Sequence, residues 1–266
     1  MGTEPRTWHH GLVAQWWAEF NVETPELDLF RGYVEQGQPA LDLACGAGRL
    51  LVPLLRAGLD VDGCDVSPDM IERCRERAER EGLTPALYAQ AMHELDLPRR
   101  YRTILVCGGF GLGGRRPHHV EALRRIDEHL EPGGLLVLDN EVPYANPRWW
   151  SGWTREGRES LPRPWPDYGE RRRAADGSEL ALATRLVALD PLEQQVTTQI
   201  KAAMWRDGEL VAEEEHELHI TLYFTHEVAL LLEQTGFRDV TTRAGYEDRA
   251  PTADDEFVVF LARKAP

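Results

Sequence analysis

A doubly wound α/β sheet, mostly parallel and seven strands wide, with an antiparallel β insertion, is the fold that this sequence of 266 residues predicts. Three observations carry that prediction. Between 39 and 140, short apolar runs alternate with stretches whose apolar residues recur every three to four positions, the pattern of a parallel sheet covered by helices. At LDLACGAGRL (41–50), an apolar run passes through an acidic residue into a turn of small residues and then into a helical pattern. From 180 to 224 the apolar period drops to two, which reads as antiparallel strands.

Residues 8–36 read as two helical pieces broken near Thr24 and Pro25, with Leu12, Val13, Trp16, Trp17 and Phe20 on one side of the first. The core then follows as strand 39–43, helix 48–57, strand 60–64, helix 68–80, strand 85–89, strand 102–107, helix 117–130 and strand 134–139. Ser67 followed by Pro68 supplies an N-cap with proline at the first helical position. Pro53, close to the start of its helix, is tolerated there.

Beyond Asn140 the pattern changes. Residues 141–179 mix prolines and charges with Trp149, Trp150, Trp153 and Trp165, too aromatic for a solvated linker. Three strands follow, marked by Leu180, Leu182, Leu186 and Ala188, then by Val196, Thr198, Ile200, Ala202 and Met204, then by Leu218, Ile220, Leu222 and Phe224. Asp190-Pro191 and Asp207-Gly208 mark the turns between them, the second a strong hairpin signal. Thr225 is expected to cap a helix ending at Gly236, before strands 237–243 and 256–262, the last antiparallel. The chain thus divides into residues 1–140 (N-terminal helices and ligand-binding core), 141–224 (inserted lid over the carboxyl edge of the sheet) and 225–266 (the rest of the core).

Small residues at Ala44, Gly46, Ala47 and Gly48 let the backbone approach a ligand closely, and the helix behind them presents unpaired N–H groups. Nineteen positions after Gly46, the run LDVDGCDVSPDM ends a second strand at Asp65, where a carboxylate can accept both hydroxyls of a ribose. A dinucleotide such as NAD and S-adenosyl-L-methionine both suit this arrangement. The dinucleotide fingerprint asks for a third glycine where this sequence has Leu51, which weakens the NAD reading.

On these residues the chain resembles the class I S-adenosylmethionine-dependent methyltransferases, whose first motif sets an acidic residue before a Gly-x-Gly turn. The resemblance extends through AQAMHELDLP (89–98), YRTILVCGGFGLGG (101–114) and LEPGGLLVLDNE (130–141). It implies cofactor contacts at Asp42, Ala44, Gly46, Gly48, Asp65, Val66, Met70, Ala91, Met92, Cys107 and Gly108. Ala91 stands where the family commonly has an Asp that meets the adenine amino group, so the base would be held by main chain and by Met70 and Met92. The segment EEEHELHITLYFTHE (213–227) is similar to amino-sugar N-methyltransferases, in which such a sheet covers the active site and can help form a homodimer. Those enzymes carry a His after the fourth strand, whereas the loop from Gly108 to Gly114 has none, and an apolar acceptor suits it better.

Methyl transfer is an in-line displacement that needs alignment and exclusion of water, with a general base only where the nucleophile holds its proton. Candidate bases are Glu141, at the ligand-binding end of a strand, together with His118, His119, Tyr144 and His226. Trp17 and Phe20 from the N-terminal helix, with Phe110, Trp149 and Trp150, are candidates to line the acceptor pocket. Packing of the insertion against the core is the competing role for these rings. The two other function classes consistent with the fold are a non-methylating S-adenosylmethionine-binding protein and an NAD enzyme.

A formal net charge of −15 argues against a nucleic-acid partner, which would need a basic face, and leaves a small-molecule acceptor as the expected partner. Cys45, Cys64, Cys74 and Cys107 include no C-x-x-C pair, so neither a metal site nor a disulfide framework is expected. No apolar stretch suits a signal peptide or a membrane span, and a cytoplasmic location is expected.

Overall fold

In the computed structural model, which describes residues 7–266, the two N-terminal helices are α1 (Gly11–Phe20) and α2 (Leu27–Gln36). The core then runs β1 (Ala40–Leu43), α3 (Leu51–Arg56), β2 (Val61–Asp65), α4 (Pro68–Glu79), β3 (Leu87–Ala89), β4 (Tyr101–Val106), α5 (Arg116–His129) and β5 (Leu130–Glu141). The insertion follows as α6 (Pro147–Ser151), α7 (Arg155–Glu159), β6 (Arg172–Arg173), β7 (Glu179–Asp190), β8 (Gln195–Arg206) and β9 (Glu209–Thr221). The chain closes with α8 (Thr225–Gln234), β10 (Arg238–Ala244) and β11 (Phe257–Arg263).

The seven core strands lie in the order β10-β11-β5-β4-β1-β2-β3, with β11 antiparallel to both its neighbours and the rest parallel. Both faces of the sheet are covered, which is why β1 is buried at all four positions. One face packs Leu123 and Ile126 of α5 with Val228 and Leu232 of α8. The other packs Phe30 and Val34 of α2 with Leu51 and Leu54 of α3 and Ile71 and Cys74 of α4. Ser67 caps α4 as its sequence signature predicts, its Oγ accepting Met70 N–H at 3.2 Å.

The insertion is a four-stranded antiparallel sheet, β6-β7-β8-β9, one short strand more than the alternating pattern predicts. Two-residue β6 is too short to carry a period. Asp207 and Gly208 both take positive φ, 53° and 84°, and close the β8–β9 hairpin as a two-residue turn. Strand β9 begins nine residues before the predicted Leu218. Helix α8 starts at Thr225 with Phe224 as its cap residue, and Glu227 Oε2 accepts Phe224 N–H at 2.9 Å, so the acid three positions on supplies the cap expected from Thr225.

Two attachments hold this sheet over the carboxyl edge of the core. The glycine loop after β4 pairs with the end of β9: Gly113 N–H donates to His219 O at 2.7 Å and Thr221 N–H to Gly111 O at 2.8 Å. Helix α1 lies between α4 and the inserted strands, where Leu12 and Val13 pack with Leu180, Ile200 and Ala202. Among the described residues no helix is long and apolar enough to cross a membrane.

Candidate cofactor and acceptor cleft

The small-residue turn after β1 adopts a conformation that explains its composition. Ala44, Gly46 and Gly48 all have positive φ (68°, 52° and 77°), and Gly46 N–H donates to Asp65 Oδ2 at 2.9 Å. The other Asp65 oxygen accepts Ser67 N–H at 2.8 Å, so one carboxylate at the end of β2 braces both the turn and the start of α4. A Cβ on Gly46 or Gly108 would meet nothing within 4 Å, whereas one on Gly109 would lie 2.5 Å from the Ala44 methyl. The backbone therefore has room beside it at the first two positions, with Gly108 bordering a cleft, and packs tightly behind the third.

That space is a cleft of about 1220 Å³, partly open to solvent, at the carboxyl ends of β1, β2 and β4. Of the expected cofactor residues, Asp42, Ala44, Asp65, Val66, Ala91, Met92, Cys107 and Gly108 line it. Gly46 and Gly48 shape the turn without lining the cleft, and Met70 is buried against Ala14, Ala47 and Trp17. Its place on the inner face of α4 turns Met70 into a prop for α1 rather than a wall for the base.

A buried ionic cluster closes one end of the cleft. Arg49, directly after the turn, pairs with the buried Glu26 and donates to Glu23 O at 2.7 Å, tying the entry of α2 to the cofactor loop. Asp139 accepts Gly108 N–H at 2.5 Å and Tyr246 O–H at 3.0 Å, and Cys107 donates to it at 3.3 Å. Burial raises the pKa of Asp139 and of Asp65, the latter against the N–H groups of Ser67 and Gly46. Asp42 is pushed up to about 7 by burial, with Asp65 and Glu26 adding to the rise and Arg49 opposing it. Its Oδ2 is buried without a hydrogen-bond partner.

These features fit S-adenosylmethionine. The unmatched Asp42 oxygen and the acidic cluster suit a ligand with cationic groups, the free lone pairs of Asp65 suit ribose hydroxyls, and Ala91 and Met92 offer an apolar wall to the base. A pH dependence follows. With a folded value near 7 and an ordinary value of 3.8, Asp42 favours the folded protein most when protonated, and that stabilisation disappears as pH rises from about 4 through 7. A cationic ligand reverses the preference. Affinity for S-adenosylmethionine should therefore climb as pH rises from 5.5 to a plateau above about 7, with proton release on binding, and Asp42→Asn should flatten the curve; calorimetry in buffers of different ionisation enthalpy checks both.

Beside Met92 and His93, His118 and His119 enter the cleft from the first turn of α5, and Trp17 enters from α1. His118 stacks on His93 with ring centres 4.4 Å apart. His119 is buried, its Nδ1 lies 2.8 Å from the Tyr223 hydroxyl, and its Nε2 has no partner. Burial, reinforced by His118, Arg116 and His93, lowers its pKa to about 3 and keeps the imidazole neutral. Tyr223 is held protonated by burial. Among the described residues the Tyr223 hydroxyl meets no other acceptor; with Tyr223 donating to Nδ1, His119 carries its proton on the buried, unmatched Nε2 beside Gly114.

Several expected site residues lie elsewhere. Glu141 is half-buried beside Asn146 and Glu256, because β5 runs past the cleft to pair with Phe257. Tyr144 is exposed, edge-on to the exposed Trp150. Phe110 is buried in the core against Tyr223, and Phe20 meets Trp16 and the Arg172 guanidinium. Trp149 packs with Trp153, Leu186 and Leu189, attaching α6 to the insertion. His226 is exposed at the start of α8. Sequence reading passed over Arg49, Glu26, His9 and Asn21, although an Arg directly after the glycine turn was a usable signal.

Residues 40–134 match the family described as "Methyltransferase domain". A chain of Geobacillus sp. (strain WCH70) named as a methyltransferase is 23% identical over 262 residues, covering 94% of this chain and 98% of that one. Among solved structures, an S-adenosylmethionine-dependent methyltransferase of Clostridium acetobutylicum ATCC 824 superposes with a TM-score of 0.69 at 15% identity, covering 94% of this chain and 96% of the other. The sugar N-methyltransferase KedS8 of Streptoalloteichus sp. ATCC 53650 superposes with a TM-score of 0.63 at 18% identity, covering 91% and 87%. At these identities the structural likenesses establish the fold.

Proposed function

We propose that this chain, a class I S-adenosylmethionine-dependent methyltransferase, methylates a nitrogen or oxygen of a small-molecule acceptor held between its cofactor carboxylates and the His118–His119 wall. The observation that carries the reading is that one continuous cleft is lined both by Asp42 and Asp65 and by the two histidines. Bound S-adenosylmethionine supplies an electrophilic methyl group on a sulfonium. Asp65 binds the ribose, Asp42 neutralises cationic charge, and α1 with the inserted sheet excludes water.

His119 is a positioning residue, and its Nε2–H, fixed by Tyr223, holds an oxygen of the acceptor. His118, less buried on the same wall, takes the proton that the nucleophile gives up. Sugar N-methyltransferases such as KedS8 support the acceptor class. A non-methylating cofactor-binding protein is the other reading on this fold, and it predicts no labelled product.

Methyl-labelled S-adenosylmethionine, assayed against a panel of amino sugars and cyclic phenols, tests the proposal. His118→Ala should lower kcat about 100-fold with S-adenosylhomocysteine affinity unchanged. His119→Ala should instead raise acceptor KM about tenfold, with partial recovery in His119→Gln, whose amide can donate from a similar place. Absence of labelled product across the panel, with cofactor bound, sinks the small-molecule reading.

A further inference from the structure

A second cavity lies on the far side of the N-terminal segment. It holds about 1250 Å³ of space, partly open to solvent, between α6, the 163–166 stretch and the inner residues of β7 and β8. Thr7 and His9 line the cofactor cleft while Trp8 lines this second cavity, so the backbone of residues 7–9 partitions the two.

Its lining is basic in a chain whose formal net charge is −15. Arg148, Arg163 and Arg185 all contribute. Arg185 is fixed, donating to Gln199 Oε1 at 2.7 and 2.9 Å with its guanidinium over the Trp165 ring. Neither Arg148 nor Arg163 has an ion pair or side-chain hydrogen bond among the described residues, although most other arginines of the chain have one. Trp8 adds a second, independent sign, because its indole Nε1–H is buried without an acceptor. Trp8 and Trp149 complete the lining with flat apolar surface.

Two exposed guanidiniums at the cavity mouth, a buried unpaired N–H and aromatic walls suit a ligand with an oxyanion on an apolar or ring-shaped body. We propose that this cavity binds a carboxylate or phosphate carried by the acceptor, at a distance from the atom that is methylated. The assignment of the ligand as the acceptor rests on the methyl-transfer reading above; binding of an oxyanion here does not. Arg148 and Arg163 grip the oxyanion, Trp8 donates one hydrogen bond to it, and the rest of the acceptor passes the 7–9 partition into the cofactor cleft.

The test uses the whole chain saturated with S-adenosylhomocysteine and three probes that share a ring: phenyl phosphate, benzoate and neutral benzyl alcohol. Calorimetry should show the anions binding at least about tenfold more tightly than the alcohol, with affinity falling as salt rises. The Trp8 indole N–H resonance, assigned through Trp8→Phe, should shift with the anions alone. Phenyl phosphate gaining affinity as pH passes its second ionisation near about 6 would point to a phosphate arm, and benzoate binding more tightly at all pH to a carboxylate arm.

Arg148→Glu with Arg163→Glu should remove the anion preference, while Arg155→Glu, on the exposed face of α7, should leave it intact. Unchanged S-adenosylhomocysteine affinity certifies the fold of each variant. Should the double reversal fail to fold, Trp8→Phe takes its place and should weaken anion binding about threefold or more through the lost donor. Equal binding of anions and alcohol, or an anion preference that survives the substitutions, overturns the proposal. Loss of methyl transfer with anion binding intact would count against the enzymatic reading alone.

Discussion

Replacing Asp65 with alanine should weaken S-adenosylhomocysteine binding by about 3 kcal/mol, more than 100-fold, the upper end for losing a charged hydrogen-bonding partner. The size follows from the double duty of this carboxylate. It is placed to receive ribose hydroxyls, and it already accepts Gly46 N–H at 2.9 Å and Ser67 N–H at 2.8 Å. Alanine leaves both donors unmatched inside the cleft, so the turn loosens as the ligand contact is lost. Asp65→Asn keeps one acceptor oxygen and should retain a measurable part of the affinity. Calorimetry with S-adenosylhomocysteine and thermal unfolding of the unliganded variant separate the two roles. Unchanged affinity in Asp65→Ala would overturn the ribose assignment.

Gly111→Ala should destabilise the protein by about 3 kcal/mol, combining the strain of alanine at positive φ with a forced backbone shift. Gly111 has a φ of 87°, and an added Cβ would lie 2.6 Å from the carbonyl oxygen of Thr221. That carbonyl sits in the junction that fastens β9 to the glycine loop, so the inserted sheet would be pushed off the cleft. Gly108→Ala makes the contrasting control: with a φ of 65° it carries the same backbone strain, but a Cβ there meets nothing within 4 Å and the methyl would project into the cleft itself. It should impair cofactor binding with a smaller fall in Tm, the strain remaining and the clash with Thr221 being absent. Urea unfolding of both variants, read beside cofactor titration, checks the pair; similar ΔG losses would show that Gly111 does not hold the junction.

The core was legible because its signals are local. Buried parallel strands read as apolar runs, Ser67-Pro68 marks a helix start, and Asp207-Gly208 closes a hairpin with the φ values that this pair favours. The turn after β1 was legible for a related reason, since a backbone that passes through three positive φ values beside a cleft needs small residues, and the acid that braces it ends the next strand.

The first half of β9 was hidden by the same logic in reverse. Glu214 and His216 occupy positions where the alternation should place apolar side chains. They face the beginning of α1, where Glu214 accepts Leu12 N–H at 2.8 Å and the His216 ring meets that of His10. A strand that satisfies a helix N-terminus needs an acid there, so its hydrophobic period breaks. Glu141 and Trp150 misled for a different reason. A strand's ligand-facing end cannot be located from sequence when the strand outlasts its neighbours, and aromatic rings that attach an insertion look, in one dimension, like rings that line a pocket.

The segment that begins α1 is fastened at three places: Ser67 Oγ donates to His9 O at 2.5 Å, Gly11 N–H to Asp69 at 2.7 Å, and Leu12 N–H to Glu214 at 2.8 Å. Thr7, His9, Trp17 and Asn21 from the same stretch all border the cleft, so opening of these bonds widens the way out for spent cofactor. Turnover should then be governed by how long S-adenosylhomocysteine resides rather than by the displacement itself. Rapid-quench assays should give a burst of about one product per chain before the steady rate, and Glu214→Ala should speed the steady rate while leaving the burst intact; progress curves linear from the first turnover would place the slow step in the chemistry.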